Sequence, residues 1–411
     1  MIYGLLGKTL KHSFSPKIHS YFGNYRYELF GKEENEIEDL IRREDVVGFN
    51  ITIPYKKTIM QYCDEIEESA LKIGAVNTII KKDGKVIGYN TDFQGFQYQL
   101  KRASIEVKNK KVIILGDGAT SQTVEAVLNS LNAKEVLKFS RSGERPFKDL
   151  INHRDGEVII NCTPVGMYPN NLEEIINLYE YDHLEGVCDV IYNPHRTLLL
   201  LQAKDIGIKH SDGLPMLIAQ AKSASEIFIG KKLKDEITEE VIHKLRKTTE
   251  NIVLIGMPGS GKSSIGKIIA KELSREHIDT DTEIEKIAGK TIPEIFQSDG
   301  EEIFRKLERE VILEYGKSTG IVLSTGGGAV LNDDNYFLLK QNGRIYFLNR
   351  KVEELSTKGR PLSKGGITSL KAMESIRLPK YQKFCDLEIE NKEISKSVEI
   401  ILEDFNENID S

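Results

Sequence analysis

Eight consecutive residues restrict this chain more than any others. Gly256-Met257-Pro258-Gly259-Ser260-Gly261-Lys262-Ser263 is a complete GxxxxGK[ST] loop, set between a strand-sized apolar run, Asn251–Ile255, and a helical pattern over residues 264–273. Backbone N–H groups of such a loop cradle phosphate oxygens, the lysine reaches the β and γ phosphates, and the final hydroxyl takes Mg²⁺. A strand, a tight loop and a helix in that order belong to a βαβ unit and a parallel sheet. Gly256, Gly259, Ser260, Gly261, Lys262, Ser263 and Ser264 are therefore candidate contacts to a nucleoside triphosphate. The loop alone leaves the phosphate acceptor open.

A second apolar run, Lys111–Leu115, feeds a turn of different design, Gly116-Asp117-Gly118-Ala119-Thr120-Ser121, ahead of a helical pattern over residues 122–131. Glycines there let backbone approach a pyrophosphate, and the helix N-terminus offers N–H groups to the anion. The same pattern also serves plain strand–helix packing. The next strand, Glu135–Phe139, ends in Ser140-Arg141-Ser142, with Arg145 close behind. An NAD site usually has an acidic residue at that point to accept from the adenosine 2′-hydroxyl. A guanidinium suits a 2′-phosphate instead, which favours NADP. Glu144 in the same loop pulls the other way, and a solvated arginine loop is the alternative reading.

Two phosphate-type turns of unlike design imply two nucleotide-binding units, and 411 residues exceed one ordinary core of about 100–200 residues. Ahead of the first turn, short strands over residues 2–6, 48–53, 78–81 and Lys85–Tyr89 alternate with helical stretches, as in a separate α/β lobe. Residues 233–250 are strongly charged and read as a terminal helix followed by a short linker at 246–250. The expected division is 1–247, comprising a substrate lobe of about 1–100 with returning helices at about 215–246 and a nucleotide lobe of about 101–214, followed by 248–411. The fold class is α/β throughout.

The net charge of −6 is spread without clustered Lys/Arg, which argues against nucleic-acid or acidic-membrane partners. Residues 108–111 and 231–234 read as solvated surface. No apolar run approaches the ~20 residues of a membrane span, and the apolar start lacks a basic leader and cleavage site. Cys63, Cys162, Cys188 and Cys385 show no CxxC spacing and read as thiols of a reducing compartment. A cytoplasmic enzyme is expected.

Residues 1–225 resemble the shikimate dehydrogenases in a series of ordered segments. These are Ser13-Phe14-Ser15-Pro16, Asn50-Ile51-Thr52-Ile53-Pro54-Tyr55-Lys56, Gly74-Ala75-Val76-Asn77-Thr78, Gly88-Tyr89-Asn90-Thr91-Asp92, Asn161-Cys162-Thr163-Pro164-Val165-Gly166-Met167, and the stretch from Gly213-Leu214-Pro215 through Gln220-Ala221. The resemblance implies NADPH-dependent reduction of 3-dehydroshikimate to shikimate. Lys56 would bond the reacting oxygen, with Asp92 orienting it and sharing the proton traffic; a lysine beside a carboxylate suits that acid/base task. Ser13, Ser15, Thr52, Asn77, Tyr192 and Gln220 would hold the substrate. NADP would meet Gly116, Gly118, Ala119, Thr120, Ser121, Ser140, Arg141, Arg145 and Gly213. The family's usual turn is G-A-G-G-A-[SA]; Asp117 and Ala119 depart from it, adding a charge and a β-carbon near the phosphates.

Residues 250–395 resemble the shikimate kinases through the loop, Asp279-Thr280-Asp281, Phe304-Arg305, Gly326-Gly327-Gly328, Arg360-Pro361-Leu362 and Arg377-x-x-x-Tyr381. The resemblance implies transfer of phosphate from ATP to shikimate. Asp279 would stand near Mg²⁺ with Ser263. Asp281, two residues on and on the same side of an extended chain, would face the ring hydroxyl as a candidate base. Arg305 and Arg377 would clamp the substrate carboxylate, Gly327 and Gly328 would lend N–H groups, and Arg360 would reach the transferring phosphate from a lid. Residues 346–360 are shorter than in typical members and lack a second basic residue before the lid. The plain reading of Arg305, inside Glu301-Glu302-Ile303-Phe304-Arg305-Lys306-Leu307-Glu308, is an i,i+4 helix salt bridge. Two further readings stay open: a first half that accepts quinate as well, and a fusion in which one half only binds. Oligomeric state is monomer or homodimer.

Overall fold

The structure, a computed structural model, describes residues 1–10, 13–355 and 366–408. The chain forms two compact units: Met1–Tyr192 with Thr197–Ile242, and Asn193–Arg196 with His243–Ser411.

The first unit carries two sheets. Strands β1 (Ile2–Gly7), β2 (Arg26–Gly31), β3 (Val46–Ile51), β4 (Glu65–Ile66), β5 (Thr78–Lys82) and β6 (Lys85–Tyr89) form a mixed sheet in the order β2-β1-β3-β5-β6-β4. β1 runs parallel to both neighbours, and β5 runs antiparallel to β3 and β6. Strands β7 (Lys111–Leu115), β8 (Glu135–Phe139), β9 (Val158–Asn161), β10 (Gly186–Asp189) and β11 (Lys209–Ser211) form an all-parallel sheet in the order β11-β10-β9-β7-β8. Its central strands are covered on both faces, so Ile113, Ile114, Ile159 and Ile160 read as unbroken apolar runs and are fully buried.

Helix Asp92–Arg102 leads from the first sheet to the second, and helix Leu214–Ile229 packs against it. A β-carbon at Gly95 would lie 2.7 Å from the Met216 carbonyl oxygen, so only glycine permits this approach. The longer helix then returns to the first sheet, where Phe228 packs on Tyr3 with ring centroids 4.6 Å apart.

The second unit is built on β12 (Asn251–Ile255), β13 (His277–Asp279), β14 (Val322–Ser324), β15 (Gly343–Asn349) and β16 (Leu387–Glu390), all parallel in the order β13-β14-β12-β15-β16. Ile252, Leu254, Ile265, Tyr346 and Leu348 form its centre. The sequence pattern predicts a linker at 246–250, but helix Glu236–Thr249 runs to within one residue of β12. Its last turn is closed by Glu250 N–H donating to the Arg246 carbonyl at 2.9 Å and by the Thr249 hydroxyl donating to the Leu245 carbonyl at 2.8 Å.

Replacing Gly95 by alanine forces the two helices apart or strains them, and overpacking of this kind costs about 1–3 kcal/mol. Calorimetric unfolding of Gly95→Ala is expected to show a lowered transition for the first unit and an unmoved one for the second. Two unmoved transitions would contradict the close approach.

Candidate active sites

A cleft of 590 Å³ opens in the first unit. Lys56 Nζ lies 2.6 Å from Asp92 Oδ2 inside it, with side chains 14% and 10% exposed. Local chemistry fixes both partners. Asp92 opens helix Asp92–Arg102, and its N–H donates to Asn90 Oδ1 at 3.1 Å. Thr91 N–H donates to Asn77 Oδ1 at 2.7 Å, tying the start of that helix to the end of the mixed sheet. Lys56 follows β3, and its carbonyl accepts from Val76 N–H at 2.8 Å.

The remaining substrate residues read from the sequence line the same cleft: Ser13, Ser15, Thr52, Asn77, Tyr192 and Gln220. The Ser13 hydroxyl accepts from Ser15 N–H at 3.2 Å. Gln220, from helix Leu214–Ile229, accepts from the Thr91 hydroxyl at 3.4 Å. The Tyr192 ring meets Phe14 edge-on at 6.1 Å. Sequence reasoning missed His19, on helix Ser15–Phe22. It also lines the cleft, stacks on Tyr27 at 4.0 Å, and is held neutral because burial pulls its pKa down to about 3.

On the nucleotide side, Gly116 has φ +114° and Gly118 caps helix Ala119–Ser130. A β-carbon on Gly118 would meet nothing within 4 Å, so the turn is open to a pyrophosphate at a helix N-terminus, and these residues fit a dinucleotide. Thr120 and Gly213 line the cleft. A β-carbon at Gly213 would lie 2.1 Å from the Val190 carbonyl, which explains the glycine. Ala119 begins the helix. Ser121 is fully buried, and its hydroxyl donates to the Gly118 carbonyl at 2.7 Å. Ser140, Arg141 and Arg145 share a loop closed by Ser140 N–H donating to the Arg145 carbonyl at 3.0 Å, with both arginines exposed.

Behind the loop 161–167, the Asp189 carboxylate is completely buried at the end of β10. It accepts from Asn161 Nδ2 at 3.1 Å, Ile191 N–H at 3.0 Å and the Thr197 hydroxyl at 2.8 Å. Burial raises its pKa to about 7 against the pull of these donors.

The second unit has a cleft of 550 Å³ lined by Gly259, Gly261, Lys262, Ser263 and Ser264. Gly256 underlies the loop with φ +147°, where a β-carbon would lie 2.6 Å from the Leu348 carbonyl. Ser260 is buried beneath it, and Lys262 Nζ donates to the carbonyls of Gly256 at 2.8 Å and Met257 at 3.0 Å. The Ser263 hydroxyl donates to Asp279 Oδ2 at 2.5 Å. A hydroxyl and a carboxylate side by side at a phosphate loop form a hard-oxygen donor set that fits Mg²⁺.

Asp281, Arg305, Gly327, Gly328 and Arg377 line the same cleft. Asp281 does not follow Asp279 along an extended chain. Asp279 ends β13 and caps helix Thr280–Ala288, accepting from Asp281 N–H at 3.1 Å, so Asp281 projects from the first helical turn. Arg305 makes the helix ion pairs, to Glu301 at 3.0 Å and Glu308 at 2.6 Å, and also faces the cleft. Arg377 is nearly buried, and its Nη1 donates to the Gly327 carbonyl at 3.0 Å. Arg360 lies outside the described residues.

Sequence reasoning missed Glu308, Arg350 and Ile394, which also line this cleft. Glu308 is 1% exposed; burial raises its pKa while Arg305 lowers it, and its Oε1 has no hydrogen-bond partner among the described residues. Its i,i+3 spacing from Arg305 was the signal available, but it reads equally as surface pairing. Arg350 and Ile394 come from the chain just beyond β15 and β16, where no motif marks them.

The family profile for shikimate kinase matches residues 258–408, and that for the shikimate dehydrogenase substrate binding domain matches residues 5–79. A shikimate dehydrogenase (NADP(+)) of Clostridium perfringens (strain 13 / Type A) is 37% identical over 266 residues, covering 60% of this chain and 98% of that protein. The crystal structure of a chorismate mutase/shikimate 5-dehydrogenase fusion protein from Clostridium acetobutylicum matches with a TM-score of 0.58 at 34% identity, over 60% of this chain and 97% of that one. Shikimate 5-dehydrogenase from Thermus thermophilus, solved with NADP(H) and shikimate, matches with a TM-score of 0.53 at 25% identity, over 59% of this chain and 99% of that one.

Two outcomes are expected from the buried carboxylates. Asp189 stays protonated when folded but ionises when unfolded, so its contribution is fully present below about pH 4 and is lost as pH rises toward about 7. Melting curves of Asp189→Asn should therefore gain on wild type as pH rises across that window; a constant difference would contradict the buried acid. Glu308→Gln leaves Arg305 without its buried counter-charge. It removes the charge-assisted hydrogen bond that Arg305 Nη1 makes to Glu308 at 2.6 Å, and should lower the stability of the second unit by about 1.5–3 kcal/mol. An unmoved melting transition for that unit would contradict the buried ion pair.

Proposed function

Because the chain belongs to the shikimate dehydrogenase family and carries a shikimate kinase domain, it is a bifunctional enzyme of the shikimate pathway, and we propose that residues 1–247 reduce 3-dehydroshikimate with NADPH while residues 248–411 phosphorylate the shikimate formed with ATP. The observation that carries the first assignment is the 2.6 Å contact of Lys56 with Asp92 inside a cleft ringed by hydroxyl and amide side chains. The second rests on Asp281 and two arginines in the cleft of the phosphate loop.

In the first site, NADPH when bound would supply the hydride for the ring ketone. Lys56 donates a proton to the ketone oxygen as the bond to hydrogen forms, and Asp92 keeps the ammonium aimed and takes part in its reprotonation. Ser13, Ser15, Thr52, Asn77, Tyr192 and Gln220 offer neutral hydrogen bonds to the polyhydroxylated ring carboxylate. The NADP turn uses Gly116, Gly118, Ala119, Thr120 and Gly213, with Arg141, Arg145 and Ser140 on the 2′-phosphate. Ser121 supports that turn from beneath.

In the second site, bound Mg²⁺ would neutralise charge on the β and γ phosphates, held through Ser263 and Asp279. Asp281 accepts the proton of the attacking ring hydroxyl. Arg305 and Arg377 grip the ring carboxylate, and Lys262 leaves the Gly256 and Met257 carbonyls for the phosphates. Arg360, which lies outside the described residues, keeps the role that the sequence resemblance implies, contact with the transferring phosphate.

We place the enzyme in the cytoplasm, a reading supported by four unpaired cysteines, two of them pushed up to about pKa 11 by burial. It acts as a monomer or homodimer, alternatives that light scattering decides. No helix among the described residues is long and apolar enough to cross a membrane.

Lys56→Ala is expected to lower dehydrogenase kcat by about 10²–10⁴, the usual worth of a general acid, with ADP formation from shikimate retained. Arg377→Ala and Asp281→Asn should reverse the pattern. Near-normal turnover and KM in both kinase variants would overturn the second assignment, and a higher kcat/KM for NADH than for NADPH would overturn the cofactor preference.

A further inference from the structure

The geometry of the glycine turn points to a second reductant. We propose that the Asp117 carboxylate accepts the adenosine 2′-hydroxyl of NADH, so that this chain binds NADH as well as NADPH. The inference rests on the dehydrogenase reading above.

Asp117 follows Gly116, whose φ of +114° turns the chain outward from β7. One point locates its side chain. A β-carbon built on Gly143 would lie 2.4 Å from Ser140 Oγ and 3.8 Å from Asp117 Oδ2. The carboxylate therefore stands against the loop 140–145, which follows β8 and is closed by the Ser140–Arg145 backbone bond. The end of the second strand is where a dinucleotide fold meets the adenosine ribose, and an NAD site needs a carboxylate there to accept from the 2′-hydroxyl. In this chain the strand itself supplies Ser140 and Arg141. The carboxylate arrives from the turn instead, one strand over.

Its neighbours leave it available. Lys138 Nζ is 2.7 Å from Glu125 Oε2 but 3.8 Å from Asp117 Oδ1, so the ammonium is committed mainly to Glu125. The Asp117 side chain is 49% exposed. Arg141 and Arg145 are exposed and make no ion pair among the described residues. The loop therefore holds two opposed elements. The guanidinium groups attract a 2′-phosphate, while the carboxylate repels it and accepts from a 2′-hydroxyl. Either cofactor finds one partner and forgoes another, which narrows the preference.

Fluorescence titration of the full chain with NADH and with NADPH reads this without turnover. Wild type should bind NADH within about tenfold of NADPH. Asp117→Ala should weaken NADH by about tenfold, as loss of a charge-assisted hydrogen bond does, and leave NADPH equal or tighter. Arg141→Ala should weaken NADPH and spare NADH. An unchanged NADH-to-NADPH ratio in Asp117→Ala, or equal weakening of both, overturns this inference alone. A wild-type chain that binds neither cofactor overturns the dehydrogenase reading, and this inference with it.

Discussion

At both sites backbone comes closer to a neighbouring group than a β-carbon would allow, and the geometry of each site follows from that approach. In the second unit, residues 326–328 show it most plainly. A β-carbon at Gly326 would lie 2.7 Å from carboxylate oxygens of both Asp281 and Glu308; one at Gly328 would lie 2.2 Å from Arg305; one at Gly327 would strike Pro258 of the phosphate loop. Three glycines thus let a carboxylate pair, a guanidinium and the phosphate loop converge on one short stretch of chain. In the first unit Gly95 brings two helices together, and Gly213 lets helix Leu214–Ile229 begin against Val190. That helix delivers Gln220 to the cleft.

The two sites handle charge differently. Lys56 and Asp92 keep about a tenth of their side-chain surface exposed and satisfy each other directly. In a pair of this kind one partner can exchange a proton with a ligand while the other remains to steady it. The second site instead buries Glu308 behind Arg305 and nearly buries Arg377. Removing one member of such a set leaves an uncompensated buried charge. On the proposed reading it would serve as a fixed clamp for an anionic group that does not itself react.

Much of this was legible in the sequence because glycine turns and short polar motifs mark where strands end. The runs Lys111–Leu115, Glu135–Phe139 and Asn251–Ile255 are strands over those very residues. The cleft residues of the first unit come from segments far apart in the chain, and their motifs named them before any geometry did. What stayed hidden has physical reasons. Asp281 was read on an extended chain because the capping role of Asp279 appears only once the helix is seen to start at Thr280. Glu308 and Arg305 look like ordinary helix pairing, and only burial separates a clamp from surface decoration. Arg350, Ile394 and His19 carry no turn or motif; their place in a cleft comes from sheet order and from packing.

The most direct test of the whole account is one coupled assay on the purified chain. It would be supplied with 3-dehydroshikimate, NADPH, ATP and Mg²⁺, with NADPH loss and ADP formation followed separately. The account predicts that NADPH is consumed first and that ADP appears only after shikimate accumulates, both on the same polypeptide. ADP formation that ignores added shikimate, or a chain that leaves NADPH untouched with 3-dehydroshikimate present, would contradict it.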